Sequence, residues 1–512
     1  MKTTLSWKHF GVISIYAFII LFITSWDSWL YDSINHYDVC WFFACGKAWM
    51  NGLIPYVDFS DSKGPLLWLI YGIGYLISPH NYLGVFLLSW IAYSIIFYTI
   101  GNIASALGCN RNEAFLAIAF SSIFLLGGAA HDEVRAEDFC LLFIFPVFYY
   151  AILHFSSNNP NKRLPVRAAL TLGIAIGATL LIKFNFSAML ACWIPLFVWT
   201  MPREHKTGIG KSILWLLVGI SIPIIPFLIN FVIIGNLKAF VQEYFFLTIQ
   251  TVRNLHLTPH DIFVVLKMGL LPFYLIATVC CTICYITQQR KGAPMIALSF
   301  IWFLAITLMN AKAPFYYIAL SPFIVIGIPF IVKALPRLCK STFMAFSLSC
   351  LCLVITLSTV KRHYLFFHVQ EDRKAFYYYS MLMTQIDKPT IIYLNCHERG
   401  YGVLSEALPA CKYWALQLGA TQEMLENPKE AVSKRVSDFV VAKEDDEASI
   451  TLIEKAGYHR YDFTDIGLPA YPHRRVLFSK SILDVSKANI TVTNQDILFK
   501  RFPFENATPL AK

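Results

Sequence analysis

Eleven apolar stretches of about 20 residues constrain this chain of 512 residues more than any other feature of its sequence. A soluble fold could not bury that much apolar surface, because 57% of the residues are hydrophobic and only 14% are charged. The sequence therefore predicts a mainly α, polytopic transmembrane helical bundle of about 11 spans, with 10 to 13 as the range. The stretches lie near residues 9–26, 82–106, 113–130, 139–157, 168–184, 186–202, 212–234, 262–286, 294–310, 317–334 and 341–360.

The distribution of basic residues predicts the orientation of these spans. Positive charge collects in loops that stay in the cytoplasm, and it explains most of the net charge of +10, so nucleic acid is not an expected partner. A smaller share suits an anionic lipid head group. The basic loops are residues 159–167, 202–211, 288–291 and 333–340. Alternation from them puts residues 131–138, 235–261, 311–316 and everything after 360 outside the cell.

One further apolar stretch, Pro65–Pro79, is short and contains two glycines. The orientation requires an even number of crossings between residues 35 and 131, and the spans 82–106 and 113–130 already supply two. The sequence therefore predicts a re-entrant or interfacial helix at this stretch, inside a first outer loop formed by residues 27–81.

The chain changes character after residue 360, which predicts a transmembrane domain at 1–360 and an extracytoplasmic domain at 361–512. Alternating strand and helix patterns predict a small α/β fold for the second domain. Strands are expected at 388–396, at the start of 437–449, at the end of 450–463 and at 474–480, with helices at 405–420, at 421–436 and at the start of 450–463. Cys396 and Cys411 lie in this region, and a disulfide between them is one reading.

Charged residues collect in the outer loops rather than in the middle of the spans. The first loop holds Asp38, Lys47, Asp58, Asp61 and Lys63. Residues 131–138 and 250–261 are also charged. A transporter would place such groups near the bilayer midplane. Carboxylates in two outer loops, with cations at the same level, instead predict transfer of a group from a lipid phosphate.

The same residues carry a family resemblance. Asp38, "WFFACGKAWMNGLIPYVD" at 41–58 and "SKGPLLW" at 62–68 resemble the first outer loop of GT-C membrane glycosyltransferases of the family 39 type. "RAEDFCLLF" at 135–143 resembles the second acidic loop of that family. The relatives in question are the protein O-mannosyltransferases and the lipid A aminoarabinose transferases.

The resemblance implies a sugar donor linked to polyprenyl phosphate, inversion at the anomeric carbon, and Asp38 as the catalytic carboxylate. Some relatives carry an acid directly after that aspartate, where this chain has Val39. Glu137 or Asp138 would then have to supply the partner carboxylate.

The remaining candidate residues fall into two groups. Lys63, Lys183 and Arg253 are expected to bind the donor phosphate, and no metal or other cofactor is required. Residues expected at the substrate are Tyr56, Asp58, Arg135, His256 and Lys312.

Structural readings stay open beside these functional ones. Asp38 also suits a helix cap, Asp58 and Asp61 suit turns, and Lys63 and Lys183 suit anchors at the membrane interface.

The function expected from the sequence is an inverting hexosyl- or pentosyltransferase in a bacterial plasma membrane, with its active site facing outward. It would move a sugar from polyprenyl phosphate to a hydroxyl of a glycolipid, a glycan or a protein. The alternatives are a transporter or flippase of lipid-linked sugars, and a ligase.

Overall fold

The computed structural model describes residues 5–25, 27–28, 37–128, 135–156, 166–199, 208–254, 258–310, 313–335, 341–359, 371–462 and 475–488. Each of the predicted spans overlaps a helix. The helical elements up to residue 359 are Trp7–Thr24, Tyr37–Met50, Pro65–Ile77, Leu83–Ala106, Arg111–Leu126, Ala136–Phe155, Val166–Ile182, Phe184–Leu190, Ala191–Trp193, Ile194–Trp199, Gly208–Ile234, Leu237–Phe240, Val241–Leu247, Thr248–Asn254, Pro259–Leu266, Leu271–Gln288, Ala293–Asn310, Pro314–Leu320, Ser321–Lys333 and Thr342–Thr359.

The lengths of these helices agree with a membrane protein. Within the described residues, 7 helices are long and apolar enough to cross a membrane. Shorter apolar helices occupy Pro65–Ile77, Val166–Ile182, Phe184–Val198 and Ala293–Met309. The predicted fold class, a mainly α polytopic bundle with a small C-terminal α/β region, is confirmed.

The span predicted at 262–286 is present as Leu271–Gln288, which is long and apolar enough to cross a membrane, but the predicted stretch is not one continuous helix. It divides into Pro259–Leu266 and Leu271–Gln288. Gly269 stands between them with a φ of 53°, a left-handed conformation that ends a helix and that glycine adopts without strain. Pro272 then occupies the first turn of the second helix, where its missing N–H costs nothing.

The stretch predicted not to cross the membrane forms the helix Pro65–Ile77. Its 13 residues extend about 20 Å, less than the roughly 30 Å of a bilayer core. It packs closely against Tyr37–Met50, because a Cβ on Gly46 would come within 2.4 Å of the Gly72 backbone nitrogen. This close approach fixes the two helices of the first loop against each other.

The chain divides into two compact units. The first contains Met1–Ser25, Ser89–Asn230 and Leu257–Lys361. Its core includes an aromatic group in which Phe148 makes edge-to-face contacts with Trp193, Phe303 and Phe323. Trp193 and Phe323 are fully buried.

The second unit contains Trp26–Leu88, Phe231–His256 and Arg362–Lys512. Segments from three parts of the sequence therefore pack into one body. The division into a transmembrane domain and an extracytoplasmic domain at residue 360 remains a prediction from composition.

The second unit contains a mixed sheet of five strands among its described residues: β1 (Thr390–Tyr393), β2 (Leu408–Pro409), β3 (Phe439–Lys443), β4 (His459–Tyr461) and β5 (Arg475–Ser479). Their order in the sheet is β2-β1-β3-β5-β4. β1 pairs in parallel with β2 and β3, while β5 runs antiparallel to β3 and β4. Side chains such as Ile392, Val440 and Phe478 form a core with Val432 and Ile453 from two helices. The helices described in the C-terminal segment of this unit are Glu371–Met383, Gln422–Ser433, Glu447–Lys455 and the short Val485–Ala488.

Most elements predicted for the C-terminal region are present, but the helix predicted at 405–420 is wrong. Leu408–Pro409 forms the edge strand β2 instead, and the Ala410 N–H donates to the Ile391 carbonyl. Pairing with β1 therefore outweighs local helix propensity, which Pro409 already weakens. The disulfide reading also fails here, because Cys396 and Cys411 are free thiols.

Candidate active site

Asp38 lies in the first turn of the helix Tyr37–Met50, and its side chain is half-buried. A carboxylate is stabilised there, because the first N–H groups of a helix point toward it. One turn further along this helix, Trp41 packs within the second unit and contacts Trp414, with ring centroids 4.7 Å apart. This packing fixes the helix that carries Asp38.

The loop after this helix folds back on Tyr56. Tyr56 has a φ of 64° and is fully buried, with its ring 4.6 Å from Trp68. Its hydroxyl donates to the Lys63 carbonyl at 3.1 Å. The side chain therefore fixes the backbone that carries Lys63, and its expected contact with substrate remains a prediction.

Lys63 stands directly before Gly64 and Pro65, which begin the next helix. Its half-buried ammonium donates to Ser62 Oγ at 3.2 Å and lies 5.5 Å from the centre of the Phe42 ring. An ammonium beside a helix N-terminus is a favourable place for a phosphate.

The remaining candidates for substrate binding and for the donor phosphate give less information. Asp58 is exposed and accepts the Ile54 N–H at 2.7 Å, as a turn-forming aspartate does. Arg253 is exposed on the helix Thr248–Asn254. His256 and Lys312 lie outside the described residues, as does the start of the second acidic loop at 131–134.

In the first unit, the structure brings together four candidates that the sequence places in two segments. We call Arg135, Glu137, Asp138 and Lys183 the acid–base cluster. Glu137 is 3% exposed and accepts a hydrogen bond from the Lys183 ammonium. That ammonium also lies 4.1 Å from the ring centre of Tyr316. Lys183 is therefore not simply an anchor that reaches for the membrane surface.

Asp138 is held at both of its oxygens. Its Oδ1 accepts the Tyr93 hydroxyl, and its Oδ2 accepts the Arg135 N–H at 2.9 Å. Arg135 is 2% exposed, with its guanidinium 3.9 Å from the ring centre of Phe315. Arg135 and Asp138 are thus held together in a buried arrangement, with an aromatic ring against the guanidinium.

Each unit therefore offers carboxylates and cations of its own. In the first unit, Glu137 and Asp138 are buried beside Lys183 and Arg135. In the second, Asp38 and Lys63 belong to one folded loop. A half-buried carboxylate can accept a proton from a hydroxyl, and ammonium groups can stabilise a leaving phosphate.

Sequence reasoning missed Glu243, which joins three parts of the second unit. Its carboxylate accepts Ser60 Oγ at 2.8 Å and Lys412 Nζ at 2.6 Å, and the Tyr413 hydroxyl at 3.0 Å. Glu243 lies in the π-helical turn Val241–Leu247, a distortion that often occurs at functional sites. That turn is not visible in the hydrophobic pattern, and its partners are far apart in sequence.

Lys47 was noted in the sequence only as one charge among several. It is 1% exposed and donates to the Gly402 carbonyl at 2.9 Å. Glu398, 4% exposed, lines the same small cavity and accepts the Gly400 N–H and the Tyr393 hydroxyl. Burial lowers the pKa of Lys47 to about 8, although the Glu398 carboxylate opposes that shift.

The low pKa of Lys47 predicts a specific dependence of stability on pH. Between pH 8 and 10.5 the unfolded chain binds more protons at this lysine than the folded chain does, so the free energy of unfolding rises with pH. Relative to Lys47→Met, the wild type should gain up to about 3 kcal/mol across this window. Unfolding of both proteins in detergent at pH 7.5 and pH 10 measures this, and an unchanged difference would contradict it.

Comparisons with known proteins bear on the fold. No family model matches the chain, and no curated protein matches it. The crystal structure of ArnT from Cupriavidus metallidurans bound to undecaprenyl phosphate is 12% identical, with a TM-score of 0.58 over 92% of this chain and 97% of that chain. The apo structure of the same protein is 11% identical, with a TM-score of 0.60 over 94% of this chain and 98% of that chain.

The S. cerevisiae protein O-mannosyltransferase Pmt1-Pmt2 complex bound to the sugar donor is 15% identical, with a TM-score of 0.35 over 47% of this chain and 35% of that chain. A likeness that low carries no weight here. The ArnT likeness extends over nearly the whole of both chains. This protein therefore has the fold of ArnT, the fold that its resemblance to the GT-C superfamily predicts.

Proposed function

We propose that this protein is an inverting membrane glycosyltransferase that uses a sugar linked to polyprenyl phosphate. The acceptor is a hydroxyl group of a glycolipid, a glycan or a protein. The site and the C-terminal region face the outside of a bacterial plasma membrane in this proposal.

The observation that carries the proposal is the likeness to ArnT, whose structure was solved with undecaprenyl phosphate. The residues of the chain support it independently. Asp38 stands half-buried at a helix start, and Lys63 precedes a second helix start in the same unit. The acid–base cluster adds two buried carboxylates.

In the proposed reaction, the acceptor oxygen attacks the anomeric carbon of the donor sugar while Asp38 accepts the hydroxyl proton. The bond between that carbon and the phosphate oxygen breaks, and its electron pair leaves with polyprenyl phosphate. Lys63 and Arg253, both of the second unit, stabilise the charge that develops on the leaving phosphate. Attack opposite to the leaving group inverts the anomeric carbon.

Glu137 and Asp138 are proposed to supply the second carboxylate function. Glu137 orients Lys183, since it accepts a hydrogen bond directly from that ammonium. Asp138 keeps Arg135 in place through its backbone N–H.

A flippase of lipid-linked sugars is the alternative, and it leaves every covalent bond of its substrate intact. The two functions are separated by supplying the reconstituted protein with short-chain polyprenyl phosphates that carry a panel of hexoses and pentoses, together with envelope lipids as acceptors. We expect free polyprenyl phosphate to appear in proportion to glycosylated acceptor. Movement of intact donor across the vesicle membrane without that product would favour the flippase.

A further inference from the structure

The Asp61 carboxyl is buried, and only one of its two oxygens accepts hydrogen bonds from the described residues. Asp61 is 7% exposed, and its Oδ1 accepts the Ser62 N–H at 2.5 Å and the Ser62 hydroxyl at 3.2 Å. Its Oδ2 has no hydrogen-bond partner among the described residues. A buried carboxylate oxygen left in this way is unfavourable, so it is expected to meet a proton or a ligand.

A turn-forming aspartate would not need this arrangement. Asp58 in the same loop shows what such a residue does, because it is exposed and bonds its own turn. Among the described residues Asp61 accepts hydrogen bonds only from Ser62, and its second oxygen is buried without a partner.

The neighbours of Asp61 connect it to the proposed phosphate cation. The Ser62 hydroxyl donates to Asp61 and accepts from the Lys63 ammonium. Ser62 and Lys63 are only half-buried, so a ligand could approach Asp61 from their side. A phosphate held by Lys63 would therefore bring the group attached to it close to Asp61.

Electrostatics link Asp61 to the proposed base as well. Burial raises the pKa of the Asp61 carboxyl, the Lys63 ammonium opposes that rise, and the Asp38 carboxylate adds to it. Two carboxylates and one ammonium thus interact within a single loop of the second unit. Val39 leaves this chain without an acid directly after Asp38, and Asp61 offers one from a position 23 residues further on.

We propose that Asp61 is a substrate-binding residue whose Oδ2 hydrogen-bonds a hydroxyl of the sugar on the donor lipid, beside the phosphate that Lys63 binds. This inference rests on the proposed function for the identity of the donor. It adds a sugar contact that neither the sequence nor the ArnT likeness assigns.

The test compares the binding of polyprenyl phosphate with and without an attached sugar. Detergent-solubilised wild type and Asp61→Asn are titrated with plain polyprenyl phosphate and with polyprenyl phosphates carrying each hexose and pentose of the panel. Asp445→Asn, at an exposed aspartate of the same unit, is the matched control. Asp61→Asn should bind the preferred sugar-bearing lipid about 10- to 100-fold more weakly, because a charge-assisted hydrogen bond is lost. It should bind plain polyprenyl phosphate within about twofold of wild type.

A donor that lacks the contacted hydroxyl sharpens the test. Among deoxy-sugar donors, one should bind wild type and Asp61→Asn equally. Equal weakening for plain and sugar-bearing lipid would overturn the proposal, because Asp61 would then act only through Lys63. A wild type that binds no sugar-bearing lipid better than the plain one would overturn it too. Asp61-dependent sugar binding without any transfer would refute the proposed function and leave this inference standing.

Discussion

Asp38→Asn is expected to lower sugar transfer by at least about 1,000-fold, because the amide cannot accept the acceptor proton. The substitution keeps the shape of the side chain. It should lower the free energy of unfolding by about 0.5 kcal/mol, the usual contribution of a charge in the first turn of a helix. Turnover in a reconstituted transfer assay and the thermal midpoint in detergent measure the two effects.

Asp387→Asn is the matched control, since Asp387 is an exposed aspartate of the same unit. It should keep both its turnover and its thermal midpoint. Turnover near the wild-type value in Asp38→Asn would remove Asp38 from the mechanism and leave only its role at the helix start.

Lys183→Met is expected to destabilise the protein by about 3 to 5 kcal/mol, because it leaves the Glu137 carboxylate buried without its cation. The combined variant Lys183→Met with Glu137→Gln removes both charges and should recover most of that loss. Chemical or thermal unfolding in detergent of the wild type, Lys183→Met, Glu137→Gln and the combined variant gives the coupling energy between the two residues.

Activity of the combined variant separates structure from catalysis. If Lys183 binds the donor phosphate, the combined variant should be folded and still transfer sugar at least about 100-fold more slowly. Recovery of both stability and turnover would show that the pair is structural only.

The helical part of the fold could be predicted because lipid imposes one simple condition. Every backbone group in the bilayer must be bonded within the chain, so a long apolar stretch is a helix. The break at Gly269 was missed because a single glycine hardly alters the apolar pattern of 262–286. The error at 405–420 has another cause, since Leu408 is a strand only through its pairing with β1.

The candidate site was predictable in its residue types and less so in its arrangement. Charge and local motif identify Asp38, Lys63, Glu137 and Lys183 individually. They do not say that Glu137 holds the Lys183 ammonium, because the two residues are 46 positions apart.

For Asp61 and Glu243, the sequence did not reveal even the importance of the individual residue. Next to Pro55 and Gly64, Asp61 has the sequence context of an ordinary turn aspartate, and only its burial distinguishes it. Glu243 stands among aromatic residues, and its partners Ser60 and Lys412 come from distant segments. Contacts between residues so far apart in the sequence cannot be predicted from local sequence patterns.

In the proposed function, this protein breaks the bond between a sugar and polyprenyl phosphate. The most direct measurement supplies the purified, reconstituted protein with donors labelled in the sugar and follows both free polyprenyl phosphate and labelled acceptor over time. We expect the two products to form in equal amounts, with an inverted anomeric centre, and Asp38→Asn to form neither. Intact donor after many hours with every sugar of the panel, or equal product from Asp38→Asn, would contradict it.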